Sequence, residues 1–137
     1  MSTISAIALS GMNAAVRRLE VSASNVANAE STGALPSANG TVPAGVPQAY
    51  APLRLIAAES PGGPGVQTSV STVAPPTVAI SDPQAPFANP DGEVAAPNVD
   101  ISREMIEQVI ASYSFAANAA VMKADDGMAK TLIDTMA

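Results

Sequence analysis

The sequence predicts a mainly α fold with a small β-rich insert, its long N- and C-terminal helices paired as an antiparallel coiled-coil-like hairpin. Three observations predict it. All twelve prolines lie between Pro36 and Pro97, and seven of the nine glycines between Gly33 and Gly92, so helix-breaking residues are confined to the middle. The last 40 residues, Asn98 to Ala137, hold no proline and one glycine, Gly127. Apolar residues in the first thirty or so positions recur at three- and four-residue intervals. The expected division is an N-terminal helix in 1–32, a Pro/Gly-rich insert with a short hairpin in 33–97, and a C-terminal helix in 98–137. The two terminal segments together make one domain.

The first helix spans Ser2 to Asn28, with Ser2 or Thr3 placed to cap it. Leu9, Met12, Val16, Leu19, Ala23 and Val26 form a strict heptad seam. Beside the seam, Ala8, Gly11 and Ala15 make a face of small side chains that permits close backbone approach. Arg17, Arg18 and Glu20 lie mostly away from the seam. An ordinary amphipathic helix on its own core fits this pattern; a partner for the C-terminal helix fits it better, given both lengths. Asn25 and Asn28 end the helix, where an amide bonds carbonyls of its own chain as a C-cap, or those of an adjacent chain.

The middle cannot be helix. Gly33 to Pro47 is a small-residue loop, expected to be mobile or ordered by a partner. Leu53 to Ala58 and Val66 to Thr72 alternate like strands, and the dense turn signal Ser60-Pro-Gly-Gly-Pro-Gly65 joins them as a hairpin. Val78 and Ile80 add a short third strand, and Asn89-Pro-Asp-Gly92 another turn. So few apolar residues predict an insert that needs neighbours for stability.

Asp100 is the expected N-cap of the last helix, and Glu104 adds a favourable charge near its positive end. A helix of about 36 residues is roughly 55 Å long, too long for the core of so small a chain. Its apolar residues do not keep to one stripe. Ile106, Ile110, Tyr113, Ala117 and Ala120 make one face, Met105, Val109, Ala116 and Ala119 another, and Phe115 and Met122 a third. A helix apolar on several sides must be covered on several sides. Neighbouring molecules are therefore expected to cover it. Asn118, set among apolar residues, would fix the register between packed helices.

Composition removes several functions. With no histidine and no cysteine, the commonest general base, thiol nucleophile and transition-metal ligands are missing. A formal charge of −6 argues against nucleic acid, whose binding rests on Lys and Arg. The fifteen uncharged residues from Gln108 to Met122 are interrupted by Gln108, Ser112, Ser114 and Asn118, so no membrane insertion is expected. The first cation is Arg17, which leaves no basic start for a signal peptide. Gly62-Gly63-Pro64-Gly65 lacks the lysine and helix of a nucleotide cradle, and Asp91-Gly92-Glu93 lacks the other ligands of a calcium loop. Asp125-Asp126 and Glu104/Glu107 read as solvated helix faces, and Asn39-Gly40-Thr41 as a chance sequon. No cofactor is expected.

Two stretches carry a resemblance. Ser10-Gly-Met-Asn-Ala-Ala-Val-Arg-Arg-Leu-Glu-Val-Ser-Ala-Ser-Asn-Val-Ala-Asn-Ala29 resembles the N-terminal signature of bacterial flagellar rod and hook proteins, Ala23-Ser-Asn-Val-Ala-Asn28 most of all. Pro97-Asn-Val-Asp-Ile101, Ala111-Ser-Tyr-Ser-Phe-Ala-Ala-Asn118 and Lys130-Thr-Leu132 resemble the C-terminal signature. Only about 65 residues separate the helices, and the run from Ser81 through Asn89-Pro-Asp-Gly-Glu-Val94 is similar to the proximal-rod branch of that family. The chain departs from the usual pattern at Tyr113, where Arg is common, and at Ala116, where Gln is.

The resemblance implies a non-enzymatic subunit of the periplasmic rod of the flagellar basal body, stacked helically around the export channel and transmitting torque. It implies export by the flagellar type III apparatus without a cleaved signal peptide. Expected partners are copies of the chain, other rod subunits, and the rod-base adaptor and MS ring. The expected assembly interface comprises Leu9, Met12, Val16, Leu19, Asn25, Val26 and Asn28 of the first helix. From the second it takes Met105, Val109, Ile110, Tyr113, Phe115, Asn118, Ala119, Met122 and Leu132. A helical adaptor or export chaperone would lack self-assembly. A carboxylate enzyme would need a pocket joining Asp91 or Glu93 to Asp125 or Asp126.

Overall fold

The computed structural model describes residues 2–37 and 40–136, so Asn39 of the sequon-like triplet lies outside the described residues. Two long helices and four short strands follow in the order α1 (Thr3–Ala27), β1 (Leu53–Glu59), β2 (Val66–Thr72), β3 (Thr77–Ser81), β4 (Glu93–Pro97) and α2 (Ile101–Met136). Side-chain caps set the helix starts. Ser2 Oγ accepts from the Ser5 N–H at 3.0 Å, and Asp100 Oδ1 accepts from the Arg103 N–H at 3.2 Å. At the end of α1 the Asn28 side chain donates to the Ser24 carbonyl at 2.9 Å, so Asn28 serves as a C-cap.

The strands form two separate two-stranded antiparallel sheets, β1–β2 and β3–β4. In the first, Leu53 faces Thr72 and Glu59 faces Val66, with Ser60 to Gly65 as the turn between them. This is the expected hairpin. The third strand also forms, but its partner β4 was not foreseen. Glu93-Val-Ala-Ala-Pro97 has a single β-branched residue and ends in proline, so local propensity is weak. Long-range pairing creates the strand: β3 lies on one side, and on the other Gly33 and Ala95 exchange N–H···O bonds of 2.9 and 3.0 Å.

That exchange also corrects the picture of a loose loop from Gly33 to Pro47. Its start is tied to β4, and Ala34 N–H donates to the Pro47 carbonyl at 2.8 Å. Gly33 is required there, because a Cβ would run into the backbone of Pro47, Gln48 and Ala49. Ala34, Ala49, Val94 and Ala95 are buried around this crossing.

The remaining buried apolar side chains are Ala8, Ala15, Pro52, Pro97 and Ala111, so six alanines, two prolines and one valine make up the buried apolar core among the described residues. Alanine removes little surface from water. Among the described residues no helix is long and apolar enough to cross a membrane.

Candidate assembly interface

The two helices run antiparallel, and polar contacts mark their register. Near one end Ser2 and Ser5 of α1 donate to Asp125 of α2. Further along, Arg18 meets Glu107 at 2.8 Å and Ser22 Oγ donates to the Glu104 carbonyl at 2.8 Å. Between them Gly11 faces Asn118 so closely that a Cβ at Gly11 would collide with the amide. A side-chain hydroxyl reaching a helix carbonyl, and a glycine against a side chain, both require close axes.

This seam is not the apolar one expected of Leu9, Met12, Val16 and Leu19. Leu9, Val16 and Leu19 remain exposed, Leu19 at 44%, while Ala8, Ala15 and Ser22 are buried. These three are spaced by seven, and the matching row on α2 is Glu104, Ala111, Asn118 and Asp125, also spaced by seven. The smallest face of α1 turns inward, and small side chains there let the polar row of α2 come close enough for so many contacts. Arg18, expected mostly outside, is half-buried in the contact. Asn118 does bear on register, but by shape: its amide donates within α2 to the Ser114 carbonyl at 2.8 Å and fills the space left by Gly11.

Asn25, only 1% exposed, is the other fixed point. Its Nδ2 donates to the Leu53 carbonyl and to Glu104 Oε1, each at 2.8 Å, and its Oδ1 accepts from Leu53 N–H at 2.9 Å and Tyr50 Oη at 3.0 Å. All of the amide's capacity is used inside the chain. One side chain therefore ties α1, α2 and β1 together. The far end of the hairpin is tied too, since Val66 N–H donates to Ser10 Oγ at 3.0 Å. Between these ties β1–β2 runs along α1: fifteen helical residues rise about 22 Å and seven strand residues span about 23 Å.

The carboxylates read as solvated pairs prove to be contacts. Asp125 is buried while Asp126 is exposed, so the two do not act as a pair. The hydroxyl of Ser2, then that of Ser5, hold the Asp125 carboxyl below the usual carboxylate range; burial opposes them more weakly. Because Ser2 also caps α1, the charge sits at the positive end of that helix. Sequence reasoning missed Asp125, Ser5, Ser22 and Tyr50. The seven-residue spacing of Glu104, Ala111, Asn118 and Asp125 was the available signal for the first.

With the helix pair closed by small residues, the large apolar side chains are left outside. Met105, Val109, Ile110, Tyr113, Phe115 and Leu132 of α2 are exposed, Tyr113 at 74%. Met12, Val26, Asn28, Ala119 and Met122 are half-buried. Met122 lies four residues from Asn118 and three from Asp125, on the side of α2 that meets α1. Ile110 and Tyr113 lie off the inward row, whose Ala111 is buried, and both stay exposed. A groove of about 320 Å³ lies where α1, β1 and the start of α2 meet, and none of Asp91, Glu93, Asp125 and Asp126 lines it.

The sequence segments that build this helix pair match known proteins. A family model described as flagella basal body rod protein matches residues 6–34, and one described as flagellar basal body rod FlgEFG protein C-terminal matches residues 91–135. The flagellar basal-body rod protein FlgC of Yersinia enterocolitica is 36% identical over 131 residues, covering 92% of this chain and 91% of the relative. The chain belongs to the FlgC family of flagellar basal-body rod proteins. The Salmonella typhimurium FlgC is 34% identical over 120 residues, covering 85% of this chain and 83% of its own. A Bacillus subtilis FlgC is 43% identical over 49 residues, 36% of this chain. The FlgC family is one of structural rod proteins, so the exposed apolar faces of α1 and α2 belong to a chain of an assembling kind.

Proposed function

We propose that the chain is a structural subunit of the proximal flagellar rod that assembles helically around the export channel and transmits motor torque. The observation that carries this reading is the apolar surface left exposed along both helices of a FlgC-family chain. A free monomer gains nothing by showing Met105, Val109, Tyr113 and Leu132 to water; burial against neighbours stabilises each of them. Buried side chains resist sliding, and that resistance is what torque transmission needs. In this reading 1–32 and 98–137 form one rod-core domain, whose seven-residue rows act as a coiled-coil-like seam, and 33–97 projects from it. Its neighbours are copies of itself, other rod subunits, the rod-base adaptor and the MS ring. It is exported to the periplasmic rod by the flagellar type III apparatus without a cleaved signal.

The test is a density map of purified basal bodies from cells with and without the gene. The chain should be traceable in the rod, and rods should be missing from the deletion strain. A helical adaptor or export chaperone would instead leave finished basal bodies free of the chain, and that outcome would overturn the proposal.

A further inference from the structure

α2 holds one glycine in its 36 residues, Gly127, and nothing in the fold of the chain requires it. A Cβ there would meet no atom within 4 Å, and the backbone does not take the left-handed conformation that favours glycine. Alanine would fit, and would favour the helix about fivefold over glycine. The glycine therefore weakens α2 at this point without serving its packing.

The position of the weak point is the second observation. Asp125, held by Ser2 and Ser5 at the start of α1, is the last buried residue of α2, and 126–136 are all exposed. Gly127 stands just past that anchor, where the covered helix passes into its bare end. The Thr131 hydroxyl donates to the Gly127 carbonyl at 3.0 Å, and bonds of this kind to the carbonyl four residues back loosen and bend helices. Glycine and threonine thus act on the same turn. A bend further back would pull Asn118 or Asp125 away from α1, whereas a bend at Gly127 breaks no packed contact among the described residues.

The bare end also has a face of its own. Ala129, Leu132, Ile133 and Met136 recur at spacings of three and four and share one stripe, with Lys130 and Asp134 off it. Leu132 continues the row of Glu104, Ala111, Asn118 and Asp125 at the same seven-residue spacing. A straight α2 therefore aims this stripe along the line of α1, which has already ended. The end is shorter than the roughly 12–15 residues at which an isolated helix becomes marginally stable, so only its junction with the covered helix fixes its direction.

We infer that Gly127 is a pivot: in the assembled subunit, 127–136 turns as a short arm away from the axis of 101–126. The inference rests on the rod reading above and adds a conformational step to it.

A density map of purified basal bodies tests the geometry. α2 should be bent at Gly127; an α2 straight to its end overturns the pivot, and rods that lack the chain defeat the rod reading instead. Substitution gives a second measurement. Gly127→Ala should slow trypsin cleavage after Lys130 in the separate chain about fivefold, and should lower incorporation per exported chain by a like factor. Moving the glycine by one residue, as Asp126→Gly with Gly127→Ala, should restore both, because a pivot needs a soft joint and not an empty space at residue 127. Unchanged cleavage or unchanged incorporation in Gly127→Ala overturns the pivot. Lost incorporation that the moved glycine does not rescue shows a neighbour pressed against residue 127, and overturns it as well.

Discussion

Asn25 spends four hydrogen bonds within the chain, and its partners Tyr50, Leu53 and Glu104 are half-buried. Asn25→Ala strands the Leu53 backbone groups beside an empty space, a cost of about 2 kcal/mol. That corresponds to roughly thirtyfold more frequent opening of the β1–β2 hairpin from α1. Trypsin cleavage after Arg54 is the readout, and it should accelerate by that order; an unchanged rate would falsify the three-way tie. Asp125 makes a pH-dependent contact of the opposite kind, between charge and hydroxyl. Its folded pKa lies below the unfolded value, so its contribution is present above the ordinary carboxylate range and is lost as pH falls through the depressed value. Asp125→Asn should therefore destabilise the helix pair at neutral pH, and the difference from the wild type should shrink as pH falls. Circular dichroism melts of both forms across that range are the check.

The helices carry two distinct kinds of surface, and substitutions should separate them. Gly11 faces Asn118 inside the pair, so Gly11→Leu overpacks the seam and should cost about 1–3 kcal/mol within the chain itself. Leu19, at the edge of the inward row, is 44% exposed and Tyr113 is 74% exposed, so Leu19→Asp and Tyr113→Asp should cost the separate chain no more than about 1 kcal/mol and about 0.5 kcal/mol respectively. Both should nevertheless abolish rod incorporation and swimming, because an unpaired charge is heavily penalised once a neighbour covers it. Arg17→Glu only breaks an exposed pair with Glu20, 3.0 Å away, and should leave motility near normal. Swimming assays beside export assays make the comparison. Motile Leu19→Asp and Tyr113→Asp strains would show that neighbours cover neither face.

At the scale of the molecule, the balance of buried and exposed apolar groups decides behaviour. A core of six alanines, two prolines and one valine among the described residues is small for helices of 25 and 36 residues. The antiparallel pairing also leaves the last turns of α2 beyond the start of α1, so among the described residues no helix lies beside Leu132 and Ile133, which are exposed. Helices without tertiary cover are marginal in water. The separate subunit should therefore show less helix by circular dichroism than α1 and α2 together contain, and the content should rise on assembly. A fully helical subunit that melts cooperatively by itself would contradict this.

The sequence by itself determined both helices and their ends, because prolines exclude helix from the middle and Ser2, Asp100 and Asn28 are local caps whose chemistry acts within a few residues. It determined the β1–β2 hairpin, whose alternation and turn are likewise local, and the flagellar rod family, legible in Ala23-Ser-Asn-Val-Ala-Asn28. Only the tertiary structure decided which faces meet. Periodicity groups Leu9 with Val16 and Ala8 with Ala15, but it does not say which group turns toward the partner helix. Close packing against Gly11 and Asn118 chose the small row, and the large side chains stayed outside. β4 and the role of Asp125 were hidden for the same reason. Ala95 needs Gly33, and Asp125 needs Ser2 and Ser5, partners more than sixty and one hundred residues away that no local pattern can reveal.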